Sequence, residues 1–149
     1  ADLAGATFEK TLFQRSELNE AKLYDTDLND SDFTDANLSN ADLHNSDLSK
    51  CNLTNAKLIG ANLKNTKFFV EKDGKIIGTE VDGADFEGAI GLKPETVFLL
   101  KAKRAKNASV VKKESVQYYS VDSNQYQIGL GEFFCELLKE FYRSYIQRR

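Results

Sequence analysis

Large apolar residues recur at every fifth position through the first half of this chain. The series runs Leu3, Phe8, Phe13, Leu18, Leu23, Leu28, Phe33, Leu38, Leu43, Leu48, Leu53, Leu58, Leu63 and Phe68, with no gap and nothing but Leu or Phe. Two residues before each centre stands a small one, from Ala1, Ala6 and Thr11 through to Cys51, Ala56, Ala61 and Thr66. The residue just before the centre is mostly Asp, Asn, Lys or Glu, and the two after it are mostly polar. An amphipathic helix spaces its apolar residues by three and four, and a half-buried strand by two, so an interval of five fits neither.

Each five-residue unit must therefore return the chain to an equivalent environment, with one large and one small side chain facing inward. One unit alone buries almost nothing, so units have to stack until their inward residues form a continuous core. Stacked backbones lie about 4.8 Å apart, because the amides and carbonyls of one coil pair with those of the next. The chain reads as a solenoid.

The units AKLYD, ANLSN, ADLHN and ANLKN resemble the pentapeptide-repeat family, over residues 1–70 without interruption and again over 84–91. The resemblance implies a mainly β fold: a right-handed, four-sided β-helix with one repeat per side, twenty residues per coil and about four coils. Residues twenty apart would then stack in four inner ladders. The first is Leu3, Leu23, Leu43 and Leu63, and the second Phe8, Leu28, Leu48 and Phe68. The third is Phe13, Phe33 and Leu53, and the fourth Leu18, Leu38 and Leu58.

The register breaks after Phe68. Asp73-Gly74 is a strong hairpin-turn signal, flanked by Val70, Ile76 and Ile77, and predicts a hairpin insertion at about 69–79. The pattern resumes at Val81 and Phe86, the latter a further core centre, and Gly91 ends it. Pro94 suits a helix's first turn, and Val97, Phe98 and Leu100 supply an apolar face for a short helix capping the last coil. AKRAKNASVVKKE reads as a basic, exposed connector, and SVQYYSVDSNQYQIG as two short strands about a polar turn at Asp122 to Asn124. In GEFFCELLKEFYRSYIQRR apolar pairs recur every four residues, predicting a C-terminal amphipathic helix rich in aromatics. That helix either folds back on its own chain or packs on a partner as in a homodimer; insertion at a membrane surface fits less well, because its polar side mixes acids with bases. Residues 1–91 thus form the repeat unit, and residues 92–149 the cap, connector and terminal helix.

Charge supports this division. Residues 1–91 carry 17 acids against 9 bases, a net −8, whereas residues 92–149 carry 6 against 11, a net +5. The acidic part is a poor partner for nucleic acid, and the basic part is too sparse to be a clear footprint for it. No apolar run approaches a membrane span. Two cysteines, Cys51 and Cys135, make no disulfide framework, and Cys51 reads as a small buried thiol. The chain contains no Met and Ala1 is already in register, which points to an upstream segment, so the compartment stays open between the cytoplasm and, after presequence removal, the thylakoid lumen or another.

Chemistry is sparse. His44 is the one histidine and has no second His or Cys at ligand spacing, so no metal is expected. GAIGL lacks the Lys-Ser/Thr that completes a phosphate loop, and no cofactor is expected. A solenoid with a filled axis offers no pocket in which paired carboxylates could move their acidities apart, so no enzyme is expected either. The expectation is a non-enzymatic protein-interaction or scaffold module, or a subunit of a larger assembly. Its partner-facing residues are Phe133, Phe134, Leu137, Phe141, Tyr142 and Tyr145 on the terminal helix, and Asp25, Asp27, Asp30, Asp32 and Asp35 ringing the second coil. The alternative, implied by the family resemblance, is a dimeric mimic of DNA that acts on a type II topoisomerase such as gyrase. Mimicry needs unbroken acidic stripes, and the columns Asp2, Lys22, Asp42 and Asp27, Asp47, Lys67 are interrupted.

Overall fold

A computed structural model describes residues 1–111 and 118–119. The repeats wind into a rod whose coils are joined by single-residue parallel bridges. Asp2 pairs with Lys22, Lys22 with Asp42 and Asp42 with Asn62; equivalent series start at Thr7, Leu12 and Glu17, each advancing by twenty. Regular strands are few because each side of the coil is too short to be more than one bridge between two turns.

Backbone hydrogen bonding explains the five-residue grammar. The centre donates to the next coil (Leu23 N–H to the Asp42 carbonyl, 2.8 Å), and so does the residue two further on (Asp25 N–H to the His44 carbonyl, 3.0 Å). The residue between them has no backbone acceptor, and an Asp or Asn just before the centre takes up its N–H. Asp32 accepts from Thr34 at 2.9 Å, Asp47 from Ser49 at 2.8 Å and Asn52 from Thr54 at 3.0 Å. That is the Asx-turn chemistry for which these residues are suited. The small position serves a second need: Ser31, Cys51 and Thr66 send their side-chain hydrogens to the carbonyls of Phe8, Leu28 and Leu43 in the preceding coil, at 2.6, 2.9 and 2.7 Å.

Two residues after the centre the chain turns through the left-handed region. All thirteen such positions from Gly5 to Asn65 have φ between 55° and 70°, and nine of them are Gly, Asn or Asp, the residues that tolerate it best. Polarity in this column is thus first a backbone requirement.

The axis is filled. Leu23, Leu28, Phe33, Leu38, Leu43, Leu48, Leu53, Leu58, Leu63, Phe68 and Phe86 are buried, and Phe13 and Phe33 stack with ring centroids 4.8 Å apart. Burying each such side chain contributes roughly 1.5–3 kcal/mol. Leu3, Phe8, Phe13 and Leu18 are half-buried, since they form the first coil and have neighbours on one side only. Leu12, beside them, is 75% exposed.

After Phe68 the chain leaves the coil as β1 (Phe69–Lys72) and β2 (Lys75–Gly78), paired antiparallel with Val70 opposite Ile77 and with Asp73 and Gly74 at the turn. The excursion lengthens one coil: Asn52 pairs with Glu80, Lys57 with Asp85 and Asn62 with Ile90, steps of 28 residues in place of twenty. Val81 and Phe86 re-enter the ladders above Leu53 and Leu58.

Helix α1 (Pro94–Ala102) follows, with Pro at its start. It buries Val97, Leu99 and Leu100 while Phe98 stays half-buried. Val97 and Leu100 of the expected face lie in the core with Phe98 packed against it, and Leu99 is buried as well, beside the cleft that Phe68 and Phe69 also line. The connector also differs from the exposed stretch expected of its charge. Lys103 is buried, its ammonium donating to the Thr79 carbonyl at 3.1 Å and to Glu80 at 2.9 Å. Lys106 bridges to Asp85, and Ala108 is buried, so the segment continues the coil for one more side. Beyond it β3 (Val110–Val111) pairs antiparallel with β4 (Tyr118–Tyr119). Tyr118 and Tyr119 thus partner upstream residues, whereas the expected pairing lay across a turn at 122–124, outside the described residues.

Candidate interaction surfaces

The five second-coil acids fall into two structural columns. Asp25, Asp30 and Asp35 occupy the left-handed position and are exposed. Asp27 and Asp32 occupy the position before a centre, Asp27 exposed and Asp32 half-buried. Each is already used by the coil. Asp25 accepts from the Asn45 amide at 2.9 Å, and Asn45 in turn accepts from Asn65 at 3.2 Å, a ladder running up the rod. Asp30 lies 3.9 Å from Lys50 and Asp35 3.8 Å from Arg15. Asp27 accepts from the Asn29 N–H at 3.1 Å, and Asp32 binds Thr34 and Gln14. The reason for their clustering was visible in the sequence only as a polar column, because a single repeat does not reveal which amide is left over.

Along the rod, bases sit against acids. Lys22 reaches Asp2 at 3.3 Å and Lys67 reaches Asp47 at 3.2 Å, both across adjacent coils. Such exposed pairs add little stability, but they interrupt any continuous negative stripe.

One side of the rod also carries an aromatic pair. Tyr24 and His44, one coil apart, stack with centroids 4.9 Å apart and planes 13° from parallel. The His44 Nδ1–H donates to Asp42 at 2.7 Å, and Asn62 donates to the same oxygen at 2.9 Å. Partial burial pushes the Asp42 acidity the other way, but the hydrogen bonds from His44 and Asn62 outweigh it and hold the carboxyl below its usual range. Among the described residues no three His, Cys, Asp or Glu side chains are grouped to hold a metal.

Asp32 is held below the ordinary carboxylate range chiefly by the Thr34 hydroxyl at 2.6 Å, then against partial burial by the Thr34 N–H and Gln14. With its folded-state pKa depressed, the stabilisation is present above the unfolded value of about 3.9 and vanishes as pH falls through the folded value. The urea midpoint should be level above about pH 5 and fall below about pH 4. Asp32→Asn should reduce that acid-side fall; an identical profile in the variant would show that the Asp32 bonds are not formed in solution.

Cys51 is buried, and burial pushes its thiol up to about 12. Maleimide labelling of the folded chain at Cys51 should be slower than in urea by on the order of a thousandfold, from the lost thiolate alone. Mass spectrometry of the labelled peptide reads this directly.

The anchors Phe133, Phe134, Leu137, Phe141, Tyr142 and Tyr145 lie outside the described residues, as does Cys135. One feature that sequence reasoning missed lies outside the filled axis. A cleft of about 400 Å³ opens between the hairpin, the last coil and α1. It exists because the hairpin and the helix depart from the coil at neighbouring points, Phe69 and Leu92, which no repeat pattern encodes. Among the described residues no helix is long and apolar enough to cross a membrane.

A family model described as a pentapeptide repeat region matches residues 1–87. Among solved structures, the pentapeptide repeat protein Rfr23 from the cyanobacterium Cyanothece 51142 is 26% identical with a TM-score of 0.44, covering 59% of this chain and 51% of its own. A pentapeptide repeat protein from the Arabidopsis thaliana thylakoid lumen is 28% identical with a TM-score of 0.33, covering 78% and 79%. QnrB1, a plasmid-mediated fluoroquinolone resistance protein, is 17% identical with a TM-score of 0.38, covering 60% and 50%. The chain thus spans about half the length of Rfr23 and of QnrB1. No curated protein matches it. With more than half its length matched and its coils bridged at intervals of twenty, the chain belongs to the pentapeptide-repeat family.

Proposed function

We propose that this protein is a non-enzymatic interaction or scaffold module, a subunit of a larger assembly. In this reading residues 1–91 form a right-handed, four-sided rod of about four coils with the hairpin as an insertion. Residues 92–149 supply the cap, the connector and a C-terminal amphipathic helix, while the polar face of the rod meets the partner. The observation that supports it most is the cross-coil locking of outward side chains. Asp25, Asn45 and Asn65 hold one another, as do Asp42, His44 and Asn62. Side chains already ordered before contact lose little entropy on binding, so a flat polar face becomes a usable recognition surface. The half-exposed Tyr24–His44 pair gives that face an aromatic centre of the kind enriched at interfaces.

The topoisomerase reading draws on the acids of the second coil, but the Lys22–Asp2, Lys67–Asp47 and Lys50–Asp30 pairs neutralise its stripes. Co-purification of the tagged chain, with its mass in solution, tests the module. The expected result is a stoichiometric protein partner lost in Tyr24→Ala. A monomer with no partner, combined with inhibition of DNA supercoiling by the purified chain, would overturn the proposal in favour of the mimic.

A further inference from the structure

The cleft outside the rod is lined by apolar side chains from the hairpin (Phe69 and Ile76), the end of the last coil (Leu92) and α1 (Leu99). Among the described residues the hairpin pairs only within itself, and its Phe69, Val70, Ile76 and Ile77 are half-buried. A two-stranded hairpin is marginal in water without a further apolar surface to pack on. We propose that this cleft is the seat of the chain's own C-terminal segment, residues 133–146, packing in cis.

Length, pattern and charge support this occupant. From Tyr119 to Phe133 is fourteen residues, which reach about 46 Å when extended, more than the roughly 30 Å diameter of a small domain. The segment carries paired large apolar residues every four positions: Phe133 and Phe134, Leu137 and Leu138, Phe141 and Tyr142. The apolar walls at Phe69, Ile76, Leu92 and Leu99 offer such a stripe more burial than they offer a polar strand. At helical spacing Glu132, Glu136, Glu140, Lys139 and Arg143 share the face opposite the stripe, acids mixed with bases. The cleft likewise offers both signs, with Lys67 and Lys93 against Glu71 and Glu95. That mixture suits a mixed-charge segment better than a strongly acidic or basic partner. Tethering also raises the segment's effective concentration to the millimolar range, so it outcompetes a second copy present at micromolar concentration.

The chain's own cysteines make the test direct. Cys135 lies within the proposed segment, and Cys51 is buried with a suppressed thiolate. In the full-length protein, Ile76→Cys and, separately, Thr96→Cys place a thiol on opposite sides of the cleft. A short bismaleimide is then applied to the folded protein, and linked peptides are identified by mass. The expected result is an intramolecular link to Cys135 in at least one variant, unchanged in yield on tenfold dilution. Leu138→Asp, added to the same variant, should reduce that yield at least fivefold while the melting temperature of the rod stays close to the parent's. Links found only in dimers would assign the cleft to a second copy and overturn the proposal. It is equally overturned if both variants label with a simple maleimide but never cross-link, or if the yield ignores Leu138→Asp, as it would for a tail that merely passes by.

Discussion

Leu43→Lys should yield no folded rod. Leu43 is fully buried in the first ladder, between Leu23 and Leu63 in the coils either side. Shortening such a side chain to Ala costs about 2–5 kcal/mol through lost burial and the cavity left behind. Lysine adds an ammonium with no acceptor in the apolar column, and leaving a charge uncompensated in an interior costs several kcal/mol more. The sum is comparable with the whole stability of an ordinary domain, about 5–15 kcal/mol. The expected outcome is insoluble or unfolded protein by circular dichroism, with Leu43→Ala folded but melting well below the parent. A Leu43→Lys protein that melts like the parent would mean that the ladder is not the core.

Gly91→Ala should be the next most damaging change, although it adds only a methyl group. Gly91 adopts φ +86°, where a side chain is strained, and its Cβ would lie 2.5 Å from the Lys64 amide nitrogen and 2.6 Å from the Lys64 Cα. Both are backbone atoms of the coil beneath, so neither can swing aside. Strain of about 1–2 kcal/mol from the left-handed conformation adds to the cost of lifting the start of the capping segment, for a total of about 2–4 kcal/mol. Gly5→Ala is the control. It has a similar φ of +70°, but its Cβ would meet nothing within 4 Å, so it should lose only the strain term. Urea midpoints of the two variants separate contact from conformation; equal losses would show that Leu92 and α1 do not press on the last coil.

The two effects differ in how they could be foreseen. Leu43 announces itself, because an interval of five with a small residue two places ahead repeats fourteen times and has one physical solution, a stack of equivalent turns. Gly91 does not, because its importance comes from Lys64, far away in the chain and brought beneath it by a coil stretched to 28 residues. The acids lie between these cases. Their columns were readable, but their purpose was not. Asp32 looks like surface charge until the unpaired Thr34 N–H is located, and Asp25 looks the same until its φ of 55° is known. Lys103 misled in the other direction: its basic neighbours suggest solvent, yet the Thr79 carbonyl and the Glu80 carboxylate draw it inside.

Local pattern alone was enough to settle the period, the stacked core and the family, since each repeat must satisfy the same amides and bury the same side chain as its neighbours. The cleft, the continuation of the coil through Lys106 and the β3–β4 pairing depended on where non-repeating segments came to rest against the rod. Contacts between residues with no shared periodicity leave no regular trace along the chain, and they form only once the coil supplies the surface on which those segments pack.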